Sequence, residues 1–217
     1  KVLGLIFDKA STRTRVSFQV AMTRLGGTTI DLNPNTSQIG RGEPIRDTAR
    51  VLSSYCDILA IRTYYHKDLI EYARWSSKPV INALTEIEHP CQALADFITI
   101  KEEFGYLENL NLAYIGDGNN VANSLMLCGS LLGVNIKIAC PEGYEPSHEL
   151  MKKHFAMNKN CGGISITHDP LEAVENSNVI YTDVWSSMGQ EAQSANKDSY
   201  FKNYTLNEEL VSASNSN

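Results

Sequence analysis

Short apolar segments alternate with longer segments of helical spacing along nearly the whole chain. Segments such as 2–7 and 111–115 have the composition of buried strands, and each is followed by apolar residues that recur every three or four positions. Strands separated by helices of this length form parallel sheets with helices on both faces. The sequence therefore predicts an α/β fold made of doubly wound parallel sheets.

A polar stretch, Gly105–Asn109, interrupts this alternation, which then starts again at Asn111. A chain of 217 residues is long enough for two small domains. We predict one domain at residues 1–105 and a second at 109–217. Because ligands bind beyond the carboxyl ends of the strands in such sheets, we expect one site in the cleft between the two domains.

Helical spacing also predicts which side chains face the sheets. The long polar segment Asp183–Asp198 lacks such spacing and is predicted to be a loop. The predicted inward-facing sets are Val16, Val20, Ala21 and Leu25, then Ile45, Ala49 and Leu52, and finally Leu94, Phe97 and Ile98.

The charge of the chain is unevenly distributed. The net charge is −6, yet residues 1–62 hold nine Lys/Arg and five Asp/Glu, a local charge of +4. The remainder holds ten Lys/Arg and twenty Asp/Glu, a local charge of −10. This distribution argues against nucleic acid as the main partner and favours a local anion site in the first part of the chain. No apolar run approaches the ~20 residues of a membrane span, so no membrane partner is expected.

Cysteine and histidine are too scattered to indicate a metal site. No CxxC pair occurs, and the histidines lack metal-ligand spacing. Reduced intracellular thiols are the simplest interpretation, and we expect neither a metal site nor a redox-active cysteine pair. The five cysteines are Cys56, Cys91, Cys128, Cys140 and Cys161.

The turn after the first strand is rich in hydrogen-bond donors. It contains Ser11, Thr12, Arg13, Thr14 and Arg15, directly before a helical pattern. Backbone N–H groups at a helix start lack partners and carry partial positive charge, so with hydroxyls and guanidinium groups they suit a phosphate dianion. An ordinary N-cap explains one hydroxyl. It does not explain three hydroxyls and two arginines within five residues.

Further polar residues follow other predicted strands. Arg62 and His89 follow neighbouring strands, and both can donate a hydrogen bond to a carbonyl oxygen. Gln92, one helical turn beyond His89, offers an amide oxygen to an –NH₂ group, so the three suit a carbamoyl or carboxamide group beside a phosphate. In the second domain, Asn120 and Asp183 also follow strands, which places them at the same predicted site.

Two stretches of the second domain allow several interpretations. Gly116-Asp117-Gly118 could begin a dinucleotide site, but the fingerprint needs a third glycine where Val121 stands. It could equally be a tight turn, with Asn120 as a ligand-facing amide. Ser187-Met188-Gly189, after Asp183, is typical of a closing lid, whereas Trp185 and Met188 could be simple core residues.

Taken together, these segments resemble the aspartate/ornithine carbamoyltransferase family. The resemblance covers nearly the whole chain in the family's order, and the Asp…Ser-Met-Gly segment points to ornithine rather than aspartate as the acceptor. The matching segments are 7–15 (FDKASTRTR), 37–40 (SQIG), Arg62, 89–96 (HPCQALAD), 116–120 (GDGNN) and 183–191 (DVWSSMGQE).

The resemblance implies a reaction between carbamoyl phosphate and L-ornithine, without metal or organic cofactor, in a cytoplasmic homotrimer with shared sites. Carbamoyl phosphate would be bound by Ser11, Thr12, Arg13, Thr14, Gln38, Arg62, His89 and Gln92. Gln38 would reach the site of a neighbouring subunit. Arg62 and His89 would polarise the carbonyl oxygen, and Gln92 would orient the amino group. Ornithine would be bound by Asn120, Asp183, Ser187 and Met188.

The family pattern also continues beyond this sequence. Its opening helix, a His-Cys-Leu-Pro segment and its C-terminal helix have no counterpart here, so we expect an internal fragment with a truncated second domain. A segment before it could have carried a transit peptide to an organelle matrix. Two alternatives remain: a carbamoyltransferase for another amine, such as putrescine or acetylornithine, and a non-catalytic remnant that only binds carbamoyl phosphate.

Overall fold

The computed structural model describes residues 1–33, 37–157, 162–185 and 194–214. Its contacts divide the chain into two compact units, Lys1–Cys91 and Gln92–Asn217. The strands are β1 Val2–Phe7, β2 Thr28–Leu32, β3 Ile58–Arg62, β4 Val80–Leu84, β5 Asn111–Ile115, β6 Asn135–Ala139, β7 Ile164–Thr167 and β8 Val179–Thr182. The helices are α1 Arg13–Arg24, α2 Ile45–Tyr55, α3 His66–Trp75, α4 Pro90–Phe104, α5 Asn120–Leu131, α6 His148–Met157, α7 Pro170–Val174, α8 Ser194–Phe201 and α9 Glu208–Ala213.

The first unit is built on a parallel sheet of order β2-β1-β3-β4. Side chains alternate between its faces, as the pleat of a strand requires. Leu3, Leu5 and Phe7 pack on one face with Phe18 and Met22 of α1. The opposite face packs against α2 and α3 through Ile6, Leu59, Ile61, Ala49, Leu69 and Tyr72. Both faces of the sheet are therefore covered.

The second unit repeats this plan with a parallel sheet of order β7-β6-β5-β8. Leu112 and Tyr114 face a core shared with α4 and α5. Ala113 and Ile115 face the other side, where α7, α8 and α9 pack. The two parallel sheets with helices on both faces confirm the predicted fold class.

The predicted strands all form, and the interior face of α2 is also as predicted. Ala49 is fully buried, and Ile45 and Leu52 pack against the same cluster.

Gly133 follows α5 with a positive φ of 76°, the conformation that lets a helix end in a left-handed turn. None of the helices among the described residues is both long and apolar enough to cross a membrane.

The predicted interior face of α1 is wrong. Val16, Val20, Ala21 and Leu25 are exposed, Leu25 by 83%. Phe18 and Met22 pack against β1 instead, although the chain alone offers two comparable apolar stripes. Since Phe18 and Met22 are one turn apart, they lie on the same side of the helix and cover more sheet surface than two valines could.

The prediction for α4 is partly wrong. Phe97 is buried as predicted, but Leu94 and Ile98 are exposed. The buried stripe consists of Ala93, Phe97 and Ile100, at the i, i+4, i+7 spacing of one helix face. The small Ala93 side chain lies in this stripe because α4 packs closely on the core formed with α5.

The predicted loop Asp183–Asp198 ends earlier than expected, because α8 begins at Ser194. This part of the sequence has little helical apolar periodicity, so local pattern does not reveal the helix. Tertiary contacts at its C-terminal end hold it. Phe201 is fully buried among Tyr144, Trp185 and Tyr204, with the Trp185 ring stacked 5.7 Å away.

Candidate functional site

The turn between β1 and α1 exposes the start of a 12-residue helix. Thr12 precedes Arg13, the first helical residue, and its side chain makes no capping hydrogen bond within the described structure. The ordinary N-cap interpretation therefore does not account for Thr12. Thr12 and Arg13 are exposed, and Ser11 and Thr14 are half-buried. These four side chains can meet an anion together with the N–H groups of the first helical turn.

Arg62 brings a buried positive charge to this turn. It is the last residue of β3, opposite Phe7 of β1, and only 6% of it is exposed. Its Nη1 donates to the Ser11 hydroxyl at 3.2 Å. Burial lowers the pKa of Arg62 from its usual value, which means that the charge is held partly out of water. A guanidinium in this position can stabilise negative charge on a ligand more strongly than an exposed one.

His89 lies beyond β4, the strand next to β3. Thr85 forms the intervening turn, since its hydroxyl accepts from the amides of Ile87 and Glu88 at 3.3 and 3.2 Å. Burial lowers the pKa of His89 to about 4, and the positive charge of Arg62 adds to the shift. His89 is consequently neutral at pH 7 and can donate one N–H to a carbonyl oxygen.

Two other polar residues of the first unit have local structural contacts. Arg15 pairs with Asp31 and lies over the Phe7 ring, 5.1 Å from its centroid. Gln38 precedes a short 3₁₀ helix, Ile39–Arg41, and its carbonyl accepts from the Arg41 amide at 2.9 Å. Arg15 thus braces the turn, and Gln38 stands in the loop after β2.

In the second unit, Asn119 lies beside two of the residues predicted to bind ornithine, Asn120 and Asp183. Its Oδ1 caps α5 by accepting from Val121 and Ala122 at 2.9 and 3.2 Å. Its Nδ2 donates to Asp183 Oδ2 at 3.3 Å. Asn120, the first residue of α5, is buried beside this cap. The adjacent strands β5 and β8 thus bring Asn120 and Asp183 to one edge of the sheet, as predicted.

The glycine turn at 116–118 is filled by protein. A Cβ on Gly118 would overlap the Pro146 backbone nitrogen, so glycine is needed there for close packing of two chain segments. The Asp117 carboxylate is held by Lys197 Nζ at 2.7 Å, with both side chains largely buried. These contacts favour the tight-turn interpretation over a dinucleotide site.

Gln92 in the first turn of α4 is held by a residue that the sequence analysis did not single out. Its Nε2 donates to Asp96 Oδ1 at 2.9 Å. Tyr181 of β8 donates its hydroxyl to Asp96 Oδ2 at 3.0 Å. The sequence analysis did not identify four residues that hold the candidate side chains or the turn beside them: Asn119, Asp96, Tyr181 and Lys197. Only Asn119 carried a local signal, since asparagine before a helix is a preferred N-cap.

Two predicted ornithine residues, Ser187 and Met188, lie outside the described residues. The stacking of Trp185 on Phe201 favours the core interpretation for Trp185. Among the residues that the structure describes, Cys56, Cys91, Cys128 and Cys140 form no disulfide bond. The described part of the chain also contains no group of three or more His, Cys, Asp or Glu side chains that could hold a metal.

Comparison with known proteins identifies this pair of units. Residues 1–102 match the carbamoyl-P binding domain of aspartate/ornithine carbamoyltransferase, and residues 108–217 match its Asp/Orn binding domain. The chain belongs to the aspartate/ornithine carbamoyltransferase family. The boundary between the two matched domains falls between residues 102 and 108. The contacts of the chain place the boundary earlier, after Cys91, so that nearly all of α4 belongs to the second unit.

Several members of this family are similar over the whole chain. An ornithine carbamoyltransferase of Prochlorococcus marinus strain MIT 9312 is 67% identical over 99% of this chain and 70% of that protein. The structure of ornithine carbamoyltransferase from Pyrococcus furiosus superimposes with a TM-score of 0.92 at 47% identity, over 100% of this chain and 69% of that one. The enzyme structure from Gloeobacter violaceus gives 0.88 at 46% identity, over 100% of this chain and 70% of that one.

Proposed function

We propose that this protein transfers the carbamoyl group of carbamoyl phosphate to the side-chain amine of L-ornithine, giving L-citrulline and phosphate. The observation that carries the proposal is the buried Arg62 guanidinium, bonded to Ser11. It lies in the part of the chain that matches the family's carbamoyl-P binding domain. The similar proteins named ornithine carbamoyltransferase support ornithine as the acceptor.

In the proposed site, the phosphate is bound by the turn before α1. Ser11, Thr12 and Thr14 supply hydroxyl donors, Arg13 supplies a guanidinium, and the N–H groups of the first helical turn point along the helix axis. The turn is preorganised because the strand before it is buried and Arg62 holds Ser11. Preorganised donors need little rearrangement when the dianion binds.

In this proposal, Arg62 and His89 donate hydrogen bonds to the carbonyl oxygen of the carbamoyl group. Gln92 accepts a hydrogen bond from the –NH₂ group of the same carbamoyl group. Attack by the amine turns this oxygen into an oxyanion, and fixed N–H donors in a poorly hydrated site stabilise such a charge. The neutral state of His89 suits this role, because an imidazolium beside Arg62 would add a second buried cation. His89 then acts as a hydrogen-bond donor.

Ornithine binding is assigned to Asn120, Asp183, Ser187 and Met188. The carboxylate of Asp183 is placed by Asn119 and suits the α-ammonium group of an amino acid. Burial is the main reason that the pKa values of Asp96 and Tyr114 are raised, and the negative charge of Asp183 adds to both shifts, a sign that this edge of the sheet is acidic. An acidic edge favours a cationic ligand.

The reaction requires the side-chain amine of ornithine in its neutral form. Its nitrogen attacks the carbamoyl carbon, a C–N bond forms, and the tetrahedral oxyanion lies against Arg62 and His89. The C–O bond to phosphate then breaks, the proton of the attacking nitrogen passes to the departing phosphate, and citrulline and phosphate result. Positioning of the two substrates and fixed positive charge supply the rate enhancement.

We also propose that the protein acts as a cytoplasmic homotrimer, with domains at 1–105 and 109–217. In this arrangement Gln38 reaches the carbamoyl phosphate bound to a neighbouring subunit. Its place in a loop after β2, beside the short helix Ile39–Arg41, supports a role at the margin of the unit.

The acceptor assay that tests the function uses the protein expressed from its complete coding sequence. Carbamoyl phosphate is supplied with L-ornithine, putrescine or N-acetylornithine, and the carbamoylated product and released phosphate are both measured. Citrulline formation with the highest kcat/KM for ornithine supports the proposal. A higher kcat/KM for putrescine or acetylornithine would reassign the acceptor, and carbamoyl phosphate binding without any product would support the non-catalytic alternative.

A further inference from the structure

Asp96 is held by two donors from different parts of the second unit. Gln92 Nε2 reaches one carboxylate oxygen at 2.9 Å, and the Tyr181 hydroxyl reaches the other at 3.0 Å. Burial raises the pKa of Asp96, and both hydrogen bonds act against this shift because they favour the ionised carboxylate. Asp96 is half-buried, whereas Gln92 is exposed and can still meet a ligand.

A Gln–Asp pair four residues apart is common on helix surfaces, where it adds only a little to helix stability. Tyr181 makes this pair different, because it comes from β8 and is 85 residues away in sequence. Its ring stacks on the buried Tyr114 with centroids 5.8 Å apart, and the Tyr114 hydroxyl donates to the Asp117 carbonyl at 2.9 Å. The Asp96 carboxylate is therefore fixed by the sheet as well as by its own helix.

An ionised carboxylate can only accept hydrogen bonds, so Gln92 must turn its –NH₂ toward Asp96. Its Oε1 then points away from Asp96 and offers an acceptor to a ligand. We propose that Asp96, held by Tyr181, is a positioning residue that fixes the orientation of the Gln92 amide and so makes the site select a ligand with –NH₂ on its carbonyl. This inference rests on the proposed role of Gln92 in carbamoyl phosphate binding.

Without Asp96 the Gln92 amide can rotate by half a turn and present its –NH₂ group instead. A ligand with –CH₃ in place of –NH₂ then binds about as tightly as the –NH₂ ligand, because the site no longer holds a fixed acceptor that favours the –NH₂ group. The expected effect is on the preference between two ligands. Phosphate binding by the turn before α1 does not depend on the Gln92 amide.

The test uses two stable phosphonates that differ only at this group, phosphonoacetamide and (2-oxopropyl)phosphonate. Their affinities for the complete protein are measured by isothermal titration, with inorganic phosphate as a reference ligand. The protein should prefer the amide by about tenfold, the size expected for one well-placed hydrogen bond. Asp96→Leu should reduce this preference to within about twofold while leaving phosphate affinity unchanged.

Three further variants complete the test. Tyr181→Phe keeps the ring stack but removes the hydroxyl, and should reduce the preference about threefold. Asp96→Asn retains an acceptor for Gln92 and should keep most of the preference. Gln92→Leu should abolish it.

The outcomes separate the inference from the function beneath it. If Gln92→Leu loses the preference but Asp96→Leu and Tyr181→Phe both keep it, the positioning role is overturned and the role of Gln92 stands. If Gln92→Leu also keeps the preference, the assignment of Gln92 fails and the inference fails with it. If neither phosphonate nor phosphate binds the protein, the proposed function itself is contradicted.

Discussion

At the scale of single residues, Arg62 and His89 show how burial prepares side chains for chemistry. The same loss of water lowers the pKa of both groups, but with different consequences. Arg62 keeps its charge, because an arginine guanidinium is not deprotonated in proteins. His89 becomes neutral at pH 7 and serves as a donor without adding charge.

Replacing Arg62 by methionine should lower kcat for citrulline formation by about 10²- to 10³-fold, because one donor to the developing oxyanion is lost. Steady-state kinetics with both substrates measure this effect. Arg46→Met is the matched control, since Arg46 is an exposed arginine of the same unit that pairs only with its neighbour Asp47 among the described ion pairs. It should stay within about twofold of the parent. Equal losses in the two variants would contradict the assignment of Arg62.

The lowered pKa of His89 predicts how stability depends on pH. The unfolded chain binds a proton at this histidine near pH 6.5, whereas the folded chain does so only near pH 4. Acid therefore favours unfolding within this window. The stabilisation is complete above pH 6.5 and is lost as the pH falls to about 4, by at most about 3 kcal/mol.

Urea unfolding of the parent and of His89→Gln, measured from pH 4 to pH 8, checks this prediction. The variant should lack this part of the pH dependence, because glutamine does not titrate. His148→Gln, at an exposed position that begins α6, controls for removal of a histidine. Parallel curves for the parent and His89→Gln would show that His89 titrates as it does in the unfolded chain.

At the scale of secondary structure elements, helix starts position the candidate residues in both units. The start of α1 lacks a side-chain cap within the described structure and carries the predicted phosphate donors. The start of α5 is capped by Asn119, which also holds Asp183 at the end of β8. One helix start thus presents donors, and the other connects two strand ends.

Asn119→Ala should therefore affect both stability and ornithine binding. Loss of the cap should reduce the free energy of unfolding by about 1 kcal/mol. Loss of the contact with Asp183 should raise the KM for ornithine severalfold, with little change in the KM for carbamoyl phosphate. Denaturant unfolding and initial-rate kinetics measure the two effects.

Asn207→Ala provides the control for this variant. Asn207 caps α9 through a hydrogen bond from the Leu210 amide at 2.9 Å. It should lose similar stability without a change in ornithine KM. If both variants change ornithine KM equally, the effect of Asn119 comes from general destabilisation.

At the scale of the whole molecule, the two units share one architecture, although the ligands proposed for them carry opposite charge. In the part of the chain that the structure describes, each unit has a four-stranded parallel sheet with polar residues beyond the carboxyl ends of adjacent strands. The first quarter of the chain is basic and the remainder is acidic. This division suits a phosphate dianion for the first unit and an ammonium group for the second.

The proposed trimer with shared sites predicts complementation between two inactive variants. Gln38→Ala and Arg62→Met are each expected to be nearly inactive, but they remove different contributors to a shared site. Unfolding and refolding an equal mixture should restore up to about a quarter of the parent activity, because one random neighbour pair in four retains both residues. The activity of mixed and separately refolded samples is compared, with oligomeric mass measured by light scattering. A trimer without restored activity would place Gln38 and Arg62 of the same subunit in one site.

The strands, their parallel arrangement and the residues that follow them can be read from local sequence patterns. These features depend on short-range patterns: apolar runs, turn residues and the spacing of polar side chains after each strand. The positions of Ser11, Arg62 and His89 could be predicted in this way, because the carboxyl ends of adjacent parallel strands lie at the same edge of a sheet. Asn120 and Asp183 followed from the same rule.

The buried helix faces and the hydrogen-bond partners of the candidate residues depend instead on how distant parts of the chain pack together. The choice of Phe18 and Met22 over Val16 and Val20 depends on the surface that α1 meets. The contact of Tyr181 with Asp96 joins residues far apart in the chain, and no local spacing encodes it. Such contacts form because two elements pack together, so their geometry is set by the whole fold.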